Sequence, residues 1–225
     1  MNERVLLNER FWLFDKLLRE ENQRQNLTRD LDAPDYEQRL YLDSLTPLAV
    51  PGLVPPDIRA VDVGSGAGFP GVPLAIMRSD IIFTFVDSLG KRCKFLERAV
   101  AELGLNATVI HARAEDFGRM AGHRGAYDAA FSRAVAALPV LLEYTIPLLK
   151  VSGLLIAHKG PAVVDELPTA RRAALMLGAR LADPIAAPTP GIESAHVLVT
   201  ARAIKRCPEQ YPRKAGIPAK QPLGG

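Results

Sequence analysis

The chain has 225 residues, 48% of them hydrophobic and 24% charged, and its mean hydropathy is close to zero. This size and composition are typical of one globular α/β domain with short accessory segments, and they exclude an intrinsically disordered protein. The longest apolar stretch, residues 138–158, is interrupted by Glu143, Lys150 and two prolines, which excludes a membrane-spanning helix there. The N-terminus has acidic residues and no long apolar core, so we expect no signal peptide and a cytoplasmic protein.

The net charge is +3, which by itself does not indicate a nucleic-acid-binding protein. The segment from Arg202 to the C-terminus has six basic residues and one acidic residue, Glu209, and therefore carries a charge of +5. A basic end on a near-neutral body favours an anionic partner, although such a segment can also serve solubility alone. The two cysteines, Cys93 and Cys207, lie in unrelated contexts and cannot form a disulfide scaffold or a zinc site, so we expect no metal.

The first predicted elements are helices. Apolar residues recur at steps of three and four over residues 2–25, which predicts an amphipathic helix, and a second helix begins near Pro34 and runs to about Leu48. The Pro/Gly-rich stretch 51–56 then marks a boundary. Residues 1–56 are therefore predicted to form an N-terminal helical segment packed on the core.

Beyond this boundary, short apolar strands alternate with longer helices. This alternation predicts a doubly wound, Rossmann-like α/β fold with a mostly parallel twisted sheet over residues 57–206. Residues 207–225 contain four prolines and few apolar side chains, and they are predicted to form a basic arm that becomes ordered only against the body or a ligand. The predicted strands are 58–63, 81–86, 108–111, 126–132, 153–158, 180–185 and 196–204, and the predicted helices are 70–77, 91–103, 138–149 and 162–177.

A glycine-rich turn follows the first strand, and two registers are available for it. Residues 66–71 fit the G-x-G-x-x-G pattern of dinucleotide-binding proteins. Asp62, Gly64 and Gly66 instead fit the acid-x-G-x-G-x-G loop of enzymes that use S-adenosylmethionine (SAM). A dinucleotide-binding strand usually has an apolar residue at the Asp62 position, whereas a carboxylate there can lie near the ammonium group of SAM. Asp62 therefore favours SAM over NAD.

Polar residues also follow the next three strands. Asp87 ends the second strand, where a carboxylate can accept hydrogen bonds from the ribose hydroxyls of either NAD or SAM. Glu115 follows the third strand, and its side chain or the backbone of Ala114 and Glu115 is expected at the adenine. The fourth strand ends in Ser132 and Arg133 over the site. The Asn/Asp-Pro-Pro-aromatic motif of amino-group methylases is absent at that point, which argues against an exocyclic amine as the methyl acceptor.

Eight sequence blocks carry a more specific signal because of their order and spacing. They are NLT (26–28), LDS (42–44), DVGSGAGFPGVPLAI (62–76), DSLGKRCKFL (87–96), RAEDF (113–117), FSRAVA (131–136), HKG (158–160) and KAGIPAKQPLG (214–224). Together they resemble the bacterial 16S rRNA (guanine-N7)-methyltransferase G family, also called the glucose-inhibited division protein B family, over essentially the whole chain. One departure is Arg39-Leu40, where many members have Arg-His, so a histidine role in RNA contact is not carried over.

The resemblance implies a SAM-dependent enzyme that methylates N7 of a guanine in 16S rRNA near the decoding site. Guanine N7 has a lone pair and no proton at neutral pH, so it can attack the methyl group without a general base. Alignment and exclusion of water can then supply about 7–11 kcal/mol of barrier reduction. The four histidines are scattered and are expected at the surface or at strand ends, and no His/Asp or Cys/His pair resembles a proton-relay site. The residues expected at the cofactor are Asp62, Gly64, Gly66, Phe69, Asp87, Ser88, Ala114, Glu115 and Arg133.

Arg133 is also the predicted catalytic residue because it ends a central strand beside the expected methyl group; the alternative is a structural ion pair with Glu115 or Asp116. The expected partner is 16S rRNA or the small ribosomal subunit, and the enzyme is expected to be a monomer. Basic residues should bind the RNA through its phosphates. Those proposed for this contact are Arg92, Lys159, Arg202, Arg213, Lys214 and Lys220.

Other classes of function remain open on the residues alone. An NAD-dependent oxidoreductase would use the 66–71 register, but Asp62 and the lack of a catalytic dyad disfavour it. A non-catalytic RNA-binding assembly factor would have the same sequence features and would differ only in turnover. A methyltransferase acting on a protein or a small molecule is a further alternative, because a glycine loop does not identify the acceptor.

Overall fold

The computed structural model describes residues 8–192 and 196–225. Eight strands in these ranges form one sheet, in the spatial order β3-β2-β1-β4-β5-β8-β6, with β7 also paired to β8. Strands one to five are parallel, whereas the eighth runs antiparallel to its neighbours. This confirms the predicted mostly parallel α/β sheet. The strands are β1 (Arg59–Val63), β2 (Ile82–Asp87), β3 (Ala107–His111), β4 (Tyr127–Arg133), β5 (Leu149–Lys159), β6 (Ala179–Leu181), β7 (Ile185–Ala186) and β8 (Val197–Ala203).

The helices cover both faces of the sheet, and a π-helical turn, Gln38–Leu42, leads directly into the second helix. The shorter 3-10 turns span Asp30–Asp32, Ile146–Leu148 and Pro161–Glu166. In the described ranges, no helix combines the length and the apolar character needed to cross a membrane. The α-helices are α1 (Glu9–Gln25), α2 (Asp43–Ala49), α3 (Gly71–Met77), α4 (Gly90–Leu103), α5 (Ala114–Phe117), α6 (Leu138–Thr145), α7 (Leu167–Leu177) and α8 (Ile217–Lys220).

Several predicted elements differ from the structure. The helix predicted over 138–149 ends at Thr145 and is followed by a 3-10 turn, and the helix predicted over 162–177 begins as a 3-10 turn and is α-helical only from Leu167. The first helix starts at Glu9 because Asn8 caps it, its side chain accepting a hydrogen bond from the N–H of Arg10 at 2.9 Å; residues 2–7 of that prediction lie outside the described residues. The single strand predicted over 180–185 is wrong, since it is two short strands that pair with different parts of β8. Pro184 lies between them and has no N–H to donate to the ladder.

Two apolar clusters fill the two sides of the sheet. The first joins α1 and α3 to sheet residues such as Ala60 and Phe83, and the second joins α6 and α7 to sheet residues such as Val61 and Val63. Successive residues of β1 thus face opposite layers, as the period-two geometry of a strand requires. Asp62 falls on the α3 side, fully buried, one residue before the strand ends.

The C-terminal arm, residues 207–225, packs against the α6–α7 side of the core. The guanidinium of Arg124 donates hydrogen bonds to the backbone carbonyls of Cys207, Pro208 and Tyr211 at 2.6–3.0 Å. Near the end of the arm, Arg172 Nε donates to the carbonyl of Gly224 at 2.6 Å. Arginines of the core therefore bind backbone carbonyls at both ends of the arm.

Candidate active site

A cleft of about 280 Å³ lies at the carboxyl edge of β1, β2, β3 and β4. Ligands of open α/β sheets bind at this edge, where the loops after parallel strands converge. Five residues predicted at the cofactor, Gly64, Asp87, Ser88, Ala114 and Glu115, line the cleft together. The remaining lining residues are Val63, Val86, Arg92, Ala112, Arg113, Ala134, Val135 and Tyr144.

The glycine loop turns back tightly at the end of β1. The N–H groups of Gly64 and Ser65 both donate to the carbonyl of Val86, at 2.8 and 3.1 Å. The backbone at Gly64 has a φ of +73°, and a Cβ there would lie 2.5 Å from the Val135 side chain. Glycine is required at this position both by the conformation and by the space, because the loop forms one wall of the cleft.

Asp62 lies beneath this loop, with no exposed surface. Its Oδ2 accepts a hydrogen bond from the N–H of Gly71, the first residue of α3, at 3.0 Å. Its buried Oδ1 has no hydrogen-bond partner among the described residues. Burial raises the pKa of Asp62 to about 7, because the hydrogen bond from Gly71 offsets only part of the desolvation. This carboxyl group is therefore a buried acceptor with one oxygen unused.

Asp87 ties the glycine loop to β2. Its Oδ2 accepts the N–H of Gly66 at 2.9 Å, and its Oδ1 accepts the N–H of Leu89 at 2.9 Å. Arg92 Nη1 lies 3.6 Å from Oδ2. A carboxylate oxygen has two lone pairs, so each oxygen of Asp87 retains capacity for a further donor such as a hydroxyl.

The C-terminal arm contacts the cleft residue Glu115 from behind the lining, a contact that sequence reasoning missed. Glu115 is buried, and its Oε1 accepts the N–H of Gly216 from the arm at 2.8 Å. Arg213 binds both oxygens of the fully buried Glu143, with Nε–Oε1 at 2.9 Å and Nη2–Oε2 at 2.7 Å. Glu143 precedes the cleft residue Tyr144. The available signal was a lone acid in the apolar run of α6, which requires a cationic partner.

Arg133, at the end of β4, is not among the residues that line the cleft. Its Nη1 donates to the carbonyl of Arg39 at 2.9 Å and to Asp43 Oδ2 at 3.1 Å, and its guanidinium carbon lies 5.1 Å from the centre of the Phe69 ring. Arg133 does form a structural ion pair, but the predicted partner, Glu115 or Asp116, is wrong, because the carboxylate that it contacts is that of Asp43. Phe69 is buried and packs on Tyr41 with 5.3 Å between ring centres.

Asp43 is the centre of a buried polar cluster. Its Oδ1 lies 2.9 Å from His196 Nδ1, and its backbone carbonyl lies 3.0 Å from His158 Nε2. Burial raises the pKa of Asp43, but the hydrogen bond from His196 and the positive charge of Arg133 oppose it, and the pKa lies below its ordinary value. Within the described ranges, no group of three or more His, Cys, Asp or Glu side chains can hold a metal ion.

Two histidines take part in this buried cluster, and His158 lies at the end of β5 as expected. His158 is buried within the fold, with 2% of its surface exposed, and burial lowers its pKa to about 4. His196 forms a His/Asp pair with Asp43, and neither residue lines the cleft. The two partners are 153 residues apart in sequence, so local spacing contains no signal for this contact.

The basic residues proposed to contact RNA lie in different environments. Lys214 and Lys220 are exposed on the arm, and Arg92 is partly exposed at the cleft. Lys159 is paired with Glu166 at 3.0 Å, and Arg213 is bound to Glu143 as described above. Arg202 lies near the start of β5, at the opposite edge of the sheet, where its Nη1 donates to the carbonyl of Ser152 at 2.8 Å. The structure therefore does not bring all six residues to one surface.

Comparisons with known proteins agree on the class of protein. The family model "GidB: rRNA small subunit methyltransferase G" matches residues 7–186. A protein of Carboxydothermus hydrogenoformans named ribosomal RNA small subunit methyltransferase G is 45% identical over 98% of this chain and 92% of its own length. A protein of the same name from Deinococcus radiodurans is 43% identical, with 96% of this chain and 85% of the relative covered.

Solved structures support the fold alone, because their sequence identities are low. The antibiotic-resistance methyltransferase Kmr is 19% identical, with a TM-score of 0.51 over 65% of this chain and 87% of that chain. A mutant of MtNAS in complex with S-adenosylmethionine is 15% identical, with a TM-score of 0.57 over 88% of this chain and 72% of that chain.

These comparisons confirm the predicted family and, with it, SAM as the cofactor and small-subunit ribosomal RNA as the substrate class. The choice of the Asp62 register over the dinucleotide register is the one that a methyltransferase requires, so the oxidoreductase alternative is wrong. The family model covers most of the chain, and the relatives are matched over nearly their full length. The chain belongs to the rRNA small subunit methyltransferase G family.

Proposed function

We propose that the protein methylates N7 of a guanine in 16S rRNA near the decoding site, acting as a monomer in the cytoplasm. The observation that carries this proposal is the chemistry of the cleft. Its two carboxylates, Asp87 and Glu115, each already accept backbone N–H groups, and no histidine of the described residues lines it. Such a cleft suits an acceptor atom that has no proton to lose.

The described residues fit SAM. The unused Oδ1 of Asp62 is a buried acceptor in the region where the amino acid part of SAM would lie, and Asp87 retains lone pairs for the ribose hydroxyls. We assign the backbone of Ala114 and Glu115 to the adenine, because the Glu115 carboxylate is directed to the arm. Ser88 lines the cleft beside Asp87. SAM supplies an electrophilic methyl group on a positively charged sulfur.

The protein's own part in the reaction is alignment. Guanine N7 attacks through its lone pair, so the residues around it need to hold the base in line and exclude water. Arg133 and Phe69 are proposed to lie where SAM meets the acceptor base, with Arg133 contacting SAM and serving as the predicted catalytic residue. His158 is uncharged at neutral pH and bonded to the Asp43 carbonyl, so it is assigned no proton transfer.

RNA is proposed to approach over the rim formed by the arm and the cleft. Lys214 and Lys220 are exposed there and can bind phosphate, and Arg92 is partly exposed beside Asp87, from which it lies 3.6 Å away. For Lys159 and Arg213 an RNA contact would compete with their carboxylate partners, and for Arg202 it would require RNA at the other edge of the sheet.

The test is methyl transfer from labelled SAM to small ribosomal subunits that lack the modification, followed by nucleoside mass spectrometry. We expect 7-methylguanosine in the product. Protein-free 16S rRNA, run in parallel, shows whether ribosomal proteins shape the target. Bound SAM without incorporation would overturn the proposal and favour the non-catalytic assembly factor, and a different methylated nucleoside would overturn the N7 assignment alone.

A further inference from the structure

Arg133 is held at one nitrogen by several oxygens of the N-terminal segment. Besides Arg39 and Asp43, its Nη1 lies 3.5 Å from the carbonyl of Leu40 and 3.4 Å from Ser44 Oγ. Only 11% of the side chain is exposed. Within the described residues, Nε and Nη2 make no hydrogen bond. A guanidinium has five N–H donors in a planar fork, so one edge is committed and the other is open.

The committed edge is built by an unusual backbone turn. Residues 38–42 form a π-helical turn rather than an α-helical one, directly before Asp43. Two carbonyls from this turn and the Asp43 carboxylate converge on the same nitrogen of Arg133. Single π turns are frequent at functional sites, where a continuous α-helix would not present these groups together.

Asp43 is itself fixed from its other side. Its Oδ1 also accepts from Thr189 Oγ1 at 3.3 Å, next to His196, and its backbone carbonyl also accepts from Thr46 Oγ1 at 2.8 Å. Asp43 has only 1% of its surface exposed. Held in this way, its carboxylate cannot rotate away from Arg133 without breaking several buried hydrogen bonds.

We propose that Asp43 is a positioning residue that holds Nη1 of Arg133 so that Nε and Nη2 are presented to the amino-acid carboxylate of SAM. The inference rests on the proposed contact between Arg133 and SAM. Arg133 is followed in the chain by Ala134 and Val135, which line the cleft, so the backbone that carries Arg133 lies at the border of that site. A guanidinium fork matches a carboxylate in a bidentate, charge-assisted geometry, and that geometry depends on the guanidinium being fixed in its plane.

The test compares two thioether ligands by calorimetry. S-adenosylhomocysteine has the amino-acid carboxylate, and 5′-methylthioadenosine lacks it. For Asp43→Asn and for Arg133→Met we expect the Kd of S-adenosylhomocysteine to rise about tenfold, as expected for a weakened charge-assisted pair, while the Kd of methylthioadenosine changes less than about twofold. Asp32→Asn, an exposed acid in the same segment, is the matched control and should leave both Kd values unchanged.

If Asp43 had a purely structural role, its substitution would weaken the binding of both ligands equally or would lower only the melting temperature. Either result overturns the inference. A selective loss in Arg133→Met with none in Asp43→Asn also overturns it. If Asp43→Asn does not fold, Asp43→Glu, which shifts the carboxylate by one methylene, should show the same selective loss. If the wild-type protein binds neither ligand, the proposed cofactor site fails instead, which separates the two failures.

Discussion

The helical segment around Asp43 and the C-terminal arm both pack on the core through a buried ion pair, but the two pairs differ in the N–H donors that they leave free. At the N-terminal end, the extension supplies the acid, Asp43, and the core supplies the arginine, Arg133. At the C-terminal end the roles are reversed, with Arg213 on the arm and Glu143 on the core. Each pair adjoins residues at one side of the same cleft.

The difference lies in the donors that remain. Arg213 uses Nε and Nη2 on Glu143, and Nη2 also donates to the carbonyl of Gln221 at 2.7 Å. Arg133 uses only Nη1 within the described residues, so its other donors are available. The Arg213–Glu143 pair is therefore suited to stabilising the fold, whereas the Asp43–Arg133 pair leaves donors that could bind a ligand. The sequence shows only that these four residues are charged.

The largest expected effect is a loss of stability on breaking the Arg213–Glu143 pair. Arg213→Met leaves Glu143 buried without a cation and should lower the free energy of unfolding by about 3–5 kcal/mol, as for a broken buried ion pair. Urea denaturation measures this loss. The double variant Arg213→Met/Glu143→Leu removes both charges and should recover most of it. A loss below about 1 kcal/mol in the single variant would contradict a structural role for the pair.

A substitution in the glycine loop should have a more selective effect, because it should weaken cofactor binding without unfolding the protein. Gly64→Val puts a branched side chain where φ is +73° and where a Cβ would meet Val135 at 2.5 Å. We expect SAM affinity to fall at least about 100-fold, or about 2.7 kcal/mol, in a titration. Gly160→Ala is the control, because its Cβ would meet nothing within 4 Å. Unchanged affinity in Gly64→Val would remove the loop from the cofactor site.

The sequence predicts the cleft well because its signals are local. Strand, glycine loop and the acid that ends the next strand belong to consecutive βα units, so Gly64 and Asp87 reach the same edge of a parallel sheet by topology alone. The break between β6 and β7 also had a local signal, Pro184, but the apolar pattern on both sides of it led to the prediction of one continuous strand.

The two ion pairs and the arm contact could not be predicted in this way. Arg213 and Glu143 are 70 residues apart, Gly216 and Glu115 are 101 apart, and Asp43 and Arg133 are 90 apart. Such contacts depend on how the ends of the chain fold back on the sheet, for which periodicity and spacing have no signal. The distribution of charge indicated a basic arm, but not that its single arginine, Arg213, is paired with a buried glutamate.

Asp62 differs from Asp43 and Glu143, because it is a buried acid that has no arginine hydrogen-bonded to it within the described residues. Its pKa is raised in the folded state to about 7, so the native protein binds the extra proton and stability falls as pH rises from the ordinary Asp pKa towards that value. Asp62→Asn keeps an acceptor for Gly71 but does not titrate. From pH 5 to pH 8 its unfolding free energy, relative to the wild type, should rise by about 2 kcal/mol. Parallel curves for the two proteins would refute this assignment.

The smallest effect is expected on RNA binding, from substitutions on the exposed face of the arm near the Arg213–Glu143 pair. Lys214→Ala/Lys220→Ala should weaken RNA binding by about tenfold or less and reduce the slope of log K against log salt by about 2, one for each phosphate no longer neutralised. SAM affinity and stability should not change, because both side chains are exposed and neither forms an ion pair in the described part of the chain. Arg171→Ala, an exposed cation on α7, is the control for nonspecific charge. An unchanged salt slope in the double variant would mean that the arm packs on the core at Glu115 without binding RNA.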